Sequence, residues 1–174
     1  RTFSEREVSD AIELRGTIEG LAARLAAERG VAAAVLDEAR PYLAQIDVLL
    51  QALAIHDDGF SRYVALNRDF HALLAKLSGS AFMQREIERV SSLPFASPSG
   101  FVIVQANTPQ ARDMLIVAQD QHWQVLDAIT NREGGRSDAI MREHSRLAQR
   151  NLRDAMKAPG KHAVLGVRLI KQHA

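Results

Sequence analysis

The sequence contains no cysteine. That excludes disulfides and thiolate metal ligands, and it fits a reducing cytoplasm. There is no excess of either charge. Lysine and arginine number 22 against 21 acidic residues, a formal net charge of +1, so composition gives no sign of the basic patch that marks a nucleic-acid-binding surface. Nowhere do about 18 apolar residues run together, so no transmembrane helix is expected. No signal peptide is visible either. Aromatic residues make up only 5% of the chain. Glycine is sparse while alanine and leucine abound, which favours helix over strand. No stretch alternates apolar and polar residues persistently, so no sheet is expected. The chain opens at Arg1 rather than at methionine, which leads us to expect a longer protein with an N-terminal portion ahead of it.

What is present is an ordinary globular composition, 47% hydrophobic and 25% charged, over 174 residues. That length suits one domain. Ser4-Glu5-Arg6-Glu7 has the pattern of a capping box, and the helix it starts should run to about Arg29 and end at Gly30. A second helix is expected from about Ala32 to Ala54, kinked or broken near Arg40 by Pro41. His56-Asp57-Asp58-Gly59 reads as a turn, followed by a third helix over Phe60 to Leu77 and a fourth over Ala81 to Ser92. The stretch Leu93 to Gly100 breaks helix twice, and Phe101 to Gln105 is a candidate short helix. Thr108-Pro109 opens a fifth long helix ending near Thr130, with proline at its first position. Gly134-Gly135 reads as a loop, with Ser137 capping a sixth long helix to about Lys157. Residues 1–157 thus form one helical domain, and 158–174 a basic, loosely held tail with Lys161, Arg168 and Lys171 and no acid. The fold class is all-α, an antiparallel bundle of six to seven helices around a central cavity.

Four polar side chains fall on apolar helix faces. Side chains advance about 100° per residue around a helix, which puts Asn67 and His71 in the arc of Tyr63, Phe70 and Leu74. His122 lies among Ala118, Val125 and Ile129, and His144 among Ile140, Leu147 and Ala148. A single buried histidine is usually a core residue bonded to a neighbour. Three are costly to bury unless each has a partner, and one cation satisfies all three at once. Imidazole suits zinc, nickel, copper or iron. Asn67 offers a neutral carbonyl oxygen, a weaker ligand than a carboxylate. Three histidines and a weak fourth ligand leave coordination positions open to something exogenous. His56, His162 and His173 read as solvated.

Arg15 is a further intruder, on the buried stripe of the first helix with Val8, Ala11, Ile18 and Ala22. Either its stem packs while its head reaches water, or its guanidinium lies in the cavity and receives a carboxylate. Asn151, two turns after His144, either lines a pocket or is a satisfied core amide.

At these residues the chain resembles the FCD domain, the C-terminal effector-binding domain of the FadR subfamily of GntR transcriptional regulators. The resemblance rests on Glu13-Leu14-Arg15 leading to Glu19-Gly20-Leu21-Ala22-Ala23, on Asn67-Arg68-Asp69-Phe70-His71 followed by Ser78-Gly79-Ser80, on Gln121 to Ile129, and on Ala139-Ile140-Met141-Arg142-Glu143-His144. It covers about residues 5 to 157. It implies a helical bundle around a cavity in which many members hold a divalent metal through an aspartate and three histidines. Those positions fall on Asn67, His71, His122 and His144, and the departure is Asn67. Zinc is the expected ion, with nickel or manganese as alternatives. Arg15 would face a small carboxylate effector, and a winged helix-turn-helix would precede this domain in the whole protein. Leu93 to Ser99 is similar to a segment of vanillate-type aromatic-acid regulators.

Three functions follow as expectations. The first is a cytoplasmic metabolite sensor: a small organic or aromatic acid meets the metal and Arg15, and the bundle alters DNA binding by the missing N-terminal domain within a homodimer. The second is a metal-dependent enzyme using the same histidines. Against it, no general base is visible on the histidine-bearing faces. The third is a metal-free dimerisation domain.

Overall fold

The computed structural model describes residues 3–51, 57–93, 96, 109–157 and 170–171. Seven helices make up nearly all of these: α1 (Glu5–Arg29), α2 (Ala33–Asp37), α3 (Arg40–Gln51), α4 (Asp57–Leu77), α5 (Ala81–Ser91), α6 (Pro109–Thr130) and α7 (Gly134–Lys157). The architecture is all-α, as composition and periodicity predict. Among the described residues the only strand pairing is a parallel ladder of two residues a side, Phe3–Ser4 (β1) with Ile170–Lys171 (β2). Two residues of the expected basic tail are therefore placed beside the start of α1; the rest of that tail, His56 and the candidate helix at Phe101–Gln105 lie outside the described residues.

Local chemistry explains the helix ends. Ser4 Oγ accepts from the Glu7 backbone N–H at 3.1 Å and Glu7 Oε2 accepts from the Ser4 N–H at 2.7 Å, so the capping box forms. Gly30 closes α1 at φ +81°, a conformation that favours glycine. Pro41 breaks the second predicted helix in two, because its ring lacks an N–H and clashes with the preceding turn; α2 ends at Asp37 and α3 starts at Arg40. Two boundaries differ from expectation. Helix α4 begins at Asp57, so Asp57-Asp58-Gly59 is helical rather than a turn. Helix α7 begins at Gly134, and Ser137 does not cap it: its buried hydroxyl donates to the Gly134 carbonyl inside the first turn.

Helix α1 runs through the middle of the bundle, antiparallel to α7. Gly16 faces Ser145, and Gly20 faces Asp138 and Arg142, so two positions without a Cβ let the helices approach closely. Helices α6 and α7 form a hairpin, and α3 lies antiparallel to α6, with Arg112 donating to the Leu50 carbonyl and Gln119 to that of Leu43.

The apolar core is divided. One cluster at the C-terminal half of α1 gathers Ala23, Ala27, Phe70, Leu74, Ile129 and Met141. A second, at the N-terminal half of α1, holds Val8, Ile12, Val90, Ala96 and Leu152. A third joins α3, α4 and α6 through Ile46, Leu50, Tyr63, Leu66 and Leu115. Arg15 and Glu19 lie on α1 between the first two, His144 lies on α7 between Met141 and Leu152, and His122 lies on α6 between Leu115 and Val125. A buried polar layer thus occupies the centre of the bundle, sealed by apolar packing on its flanks.

Candidate metal centre

All six residues expected from the sequence to form the site are buried: Arg15, Asn67, His71, His122, His144 and Asn151. Four helices deliver them: α1, α4, α6 and α7. The three imidazoles meet, His71 and His122 face to edge and the other two pairs tilted, with ring centroids 5.4 Å apart for His71 and His122, 5.2 Å for His71 and His144, and 4.6 Å for His122 and His144. One ring nitrogen from each lies within 4.8 Å of the others. A cation bound at about 2.1 Å from each nitrogen holds them roughly 3 to 3.5 Å apart, so about an ångström of closure completes a three-nitrogen set. Phe70 seals one side, its ring centroid 4.7 Å from that of His122.

Each ring is held from behind through Nδ1. Glu19 Oε1 lies 2.9 Å from His71 Nδ1, Gln119 Oε1 lies 3.1 Å from His122 Nδ1, and Gln121 Oε1 lies 3.1 Å from His144 Nδ1. Side-chain oxygens placed this way accept the Nδ1 proton and leave Nε2 with its lone pair. The Nε2 atoms of His71 and His122 are buried and have no hydrogen-bond partner. An orphaned buried acceptor costs about 1–3 kcal/mol. Two of them in adjacent rings fit a shared cation, and a donor set of three imidazoles fits a borderline ion such as zinc.

The electrostatics point the same way. Burial holds His122 well below its ordinary value, aided by the nearness of His144 and His71. Burial also pulls His144 down to about 3. Both rings are therefore neutral at physiological pH, the form that binds metal. For Glu19, burial alone would raise the pKa, but His71 and Arg15 outweigh it and bring the carboxyl down to about 2.

Glu19 is the functional residue that reasoning from sequence did not assign. Its signal was its position, one turn after Arg15 and two turns after Ile12, on the same buried stripe. Its neighbour Arg15 is fully buried, so it does not snorkel. Arg15 Nε lies 3.5 Å from Glu19 Oε2, an ion-pair contact without hydrogen-bond geometry, and its Nη1 donates to the Ala96 carbonyl at 2.9 Å. Burial lowers the Arg15 pKa and Glu19 opposes the fall. The guanidinium thus holds one backbone carbonyl and stands beside one carboxylate, while its Nε has no hydrogen-bond partner. Gln119 and Gln121 also escaped notice, since nothing in their spacing announces a histidine partner. Asp69, Asp120 and Glu143 face away from the imidazoles: Asp69 pairs with Arg68, Asp120 accepts from Gln124, and Glu143 pairs with Arg146.

Arg15, Asn67, His144 and Asn151 line one cavity, together with Tyr63 and Leu115. Its volume is about 20 Å³, room for about one water. Asn151 Oδ1 is buried there without a hydrogen-bond donor.

The family model of the FCD domain matches residues 10–147. The chain belongs to the FCD domain family. FCD domains are regulatory rather than enzymatic, so this FCD domain is a regulatory module and the metalloenzyme alternative falls away. Among solved structures, the GntR protein of Streptococcus agalactiae shares the fold, with a TM-score of 0.61 and 20% identity over 83% of this chain. The chain spans 59% of the length of that protein. Among curated proteins nothing matches the sequence. Neither match bears on the narrower likeness to vanillate-type regulators, and most of Leu93–Ser99 lies outside the described residues.

Proposed function

We infer that this FCD domain senses a small carboxylic acid, organic or aromatic, at a divalent cation held by His71, His122 and His144, with Asn67 beside them. The observation that carries this reading is the pair of buried Nε2 atoms without partners in rings whose Nδ1 sides are already occupied. Zinc suits three imidazoles, with nickel and manganese as alternatives. When bound, the cation supplies positive charge toward which an acid turns its carboxylate.

The chain's own residues do the rest. Arg15 adds a guanidinium to the cavity wall, and Asn151 Oδ1 accepts from a hydroxyl on the incoming acid. At about 20 Å³ the cavity is too small for any organic acid, so entry requires the lining helices or side chains to move. An effector that binds the opened arrangement more tightly than the closed one shifts the population between them. In the whole protein that shift would reach an N-terminal winged helix-turn-helix and, through a homodimer, change how two DNA-reading heads are spaced.

The test is thermal unfolding of the zinc-loaded domain against a panel of aliphatic and aromatic mono- and dicarboxylates. A matching acid at about a hundred times its dissociation constant adds about 2.7 kcal/mol, several degrees in Tm, and the gain disappears in His144→Ala and shrinks in Arg15→Lys. If the zinc-loaded protein responds to no carboxylate, the sensing reading is wrong.

A further inference from the structure

Gln119 makes contacts in two directions. Inward, its Oε1 lies 3.1 Å from His122 Nδ1. Outward, its Nε2 donates to the Leu43 carbonyl at 2.9 Å and to Asp47 Oδ1 at 2.7 Å. Two acceptors on the outer side fix which end of the amide is nitrogen, because neither a carbonyl nor a carboxylate can donate. The oxygen must then face His122, and Nδ1 must be the donor. A neutral imidazole with its proton on Nδ1 carries its lone pair on Nε2, and that is the atom of His122 left without a partner. Asp47 is itself clamped, since its other oxygen accepts from Trp123 Nε1 at 3.0 Å. One chain of hydrogen bonds therefore runs from Trp123 through Asp47 and Gln119 to His122. It starts in a groove of about 480 Å³ between α3 and α6 and ends at the buried rings.

We propose that Gln119 and, acting through it, Asp47 are positioning residues of the metal centre, which lock His122 in the tautomer that presents Nε2. This rests on the metal reading above. Neither side chain belongs to the group of histidine nitrogens that would hold the ion. Their effect is to remove the choice of tautomer before the cation arrives. Asp47 lies on α3, a helix that supplies no ligand, so the centre's affinity depends on how α3 packs against α6.

The experiment is a cobalt(II) titration of the whole chain, followed by visible d–d absorption, with far-UV circular dichroism of each variant. Gln119→Leu should weaken cobalt binding about 10- to 100-fold, the usual effect of removing a histidine's outer partner. Asp47→Leu should weaken it less, because Leu43 still holds the amide. The double variant should be no worse than Gln119→Leu, since Asp47 acts only through that side chain. Asp47→Asn keeps an acceptor for the Gln119 amide in its Oδ1, which Asp47→Leu does not. It should bind cobalt more tightly than Asp47→Leu. If wild-type protein takes up no cobalt, the metal reading itself fails. If it binds and Gln119→Leu binds equally well, only the positioning role is overturned. A double variant far weaker than Gln119→Leu overturns the route through Asp47. Should Gln119→Leu not fold, Asp47→Leu and Asp47→Asn decide: weakened in the first and closer to wild type in the second supports the proposal, and both unchanged overturns it.

Discussion

Replacing Glu19 by leucine removes the one carboxylate buried in the polar layer among the described residues. Arg15, 1% exposed, then keeps its charge in the interior without its ion-pair partner, and His71 Nδ1 loses its acceptor. Breaking a buried pair from one side costs about 3–5 kcal/mol. The titration of Glu19 agrees in sign: its pKa falls from 4.5 to about 2 on folding, through His71 as well as Arg15, so ionised Glu19 contributes stability. Because the folded value is depressed, that contribution is complete above pH 4.5 and is lost as pH falls toward 2. For a domain of this size each kcal/mol moves Tm by about 2–4 °C, so Glu19→Leu should lower Tm by about 10 °C at pH 7 when followed by circular dichroism. Adding Arg15→Met removes the stranded charge as well, and this double variant should recover most of the loss. A fall of less than about 3 °C, or a double variant no better than the single, would refute the assignment of Glu19 and Arg15 as an interdependent pair.

Metal-free protein should also lose stability in mild acid, for a different reason. His122 and His144 have folded pKa values below 6.5, so the unfolded state takes up more protons and stability rises with pH from about 3 to 6.5; between pH 7.5 and 5.5 the two rings together should cost about 2–3 kcal/mol, and an apo Tm that is flat over that range would contradict it. Gly16→Ala pushes a methyl into Ser145 at the α1–α7 contact, which should destabilise by about 1–3 kcal/mol in urea unfolding; a neutral outcome would mean that the helices are not held so close. Asn67→Asp places a carboxylate beside the three imidazoles and should tighten zinc binding by about tenfold or more while lowering the Tm of the metal-free protein, so a variant that moves both in the same direction would count against Asn67 as part of the centre.

The bundle was legible because its signals are local. Helix-period stripes, the Ser4–Glu7 capping box, Pro41 and Gly30 each act within a turn or two of the chain, and each fell where the residues indicated. The boundaries that moved did so for tertiary reasons: Asp57-Asp58-Gly59 has the composition of a turn, yet it continues α4, whose Phe60 and Tyr63 pack against Ile46 and Leu50. Ser137 looks like a cap, but it donates backward inside a helix that already starts at Gly134. The histidines were legible because a polar residue at the centre of an apolar arc is conspicuous. Their Nδ1 partners were not, since Glu19, Gln119 and Gln121 are 52, 3 and 23 residues from the rings they hold and only the packing of α1, α6 and α7 selects them. Arg15 stood out as buried, but its role depended on Ala96, 81 residues away.

Everything proposed for this FCD domain depends on a cation among His71, His122 and His144. Elemental analysis of the protein purified without chelators, beside His71→Ala, decides the matter. The structure predicts about one equivalent of zinc or a similar divalent ion in the wild type and a large loss in the variant. Wild-type protein that carries no such ion and takes none up from added zinc would show that the three histidines are core packing, and the search for a ligand would then move to Arg15 and Asn151.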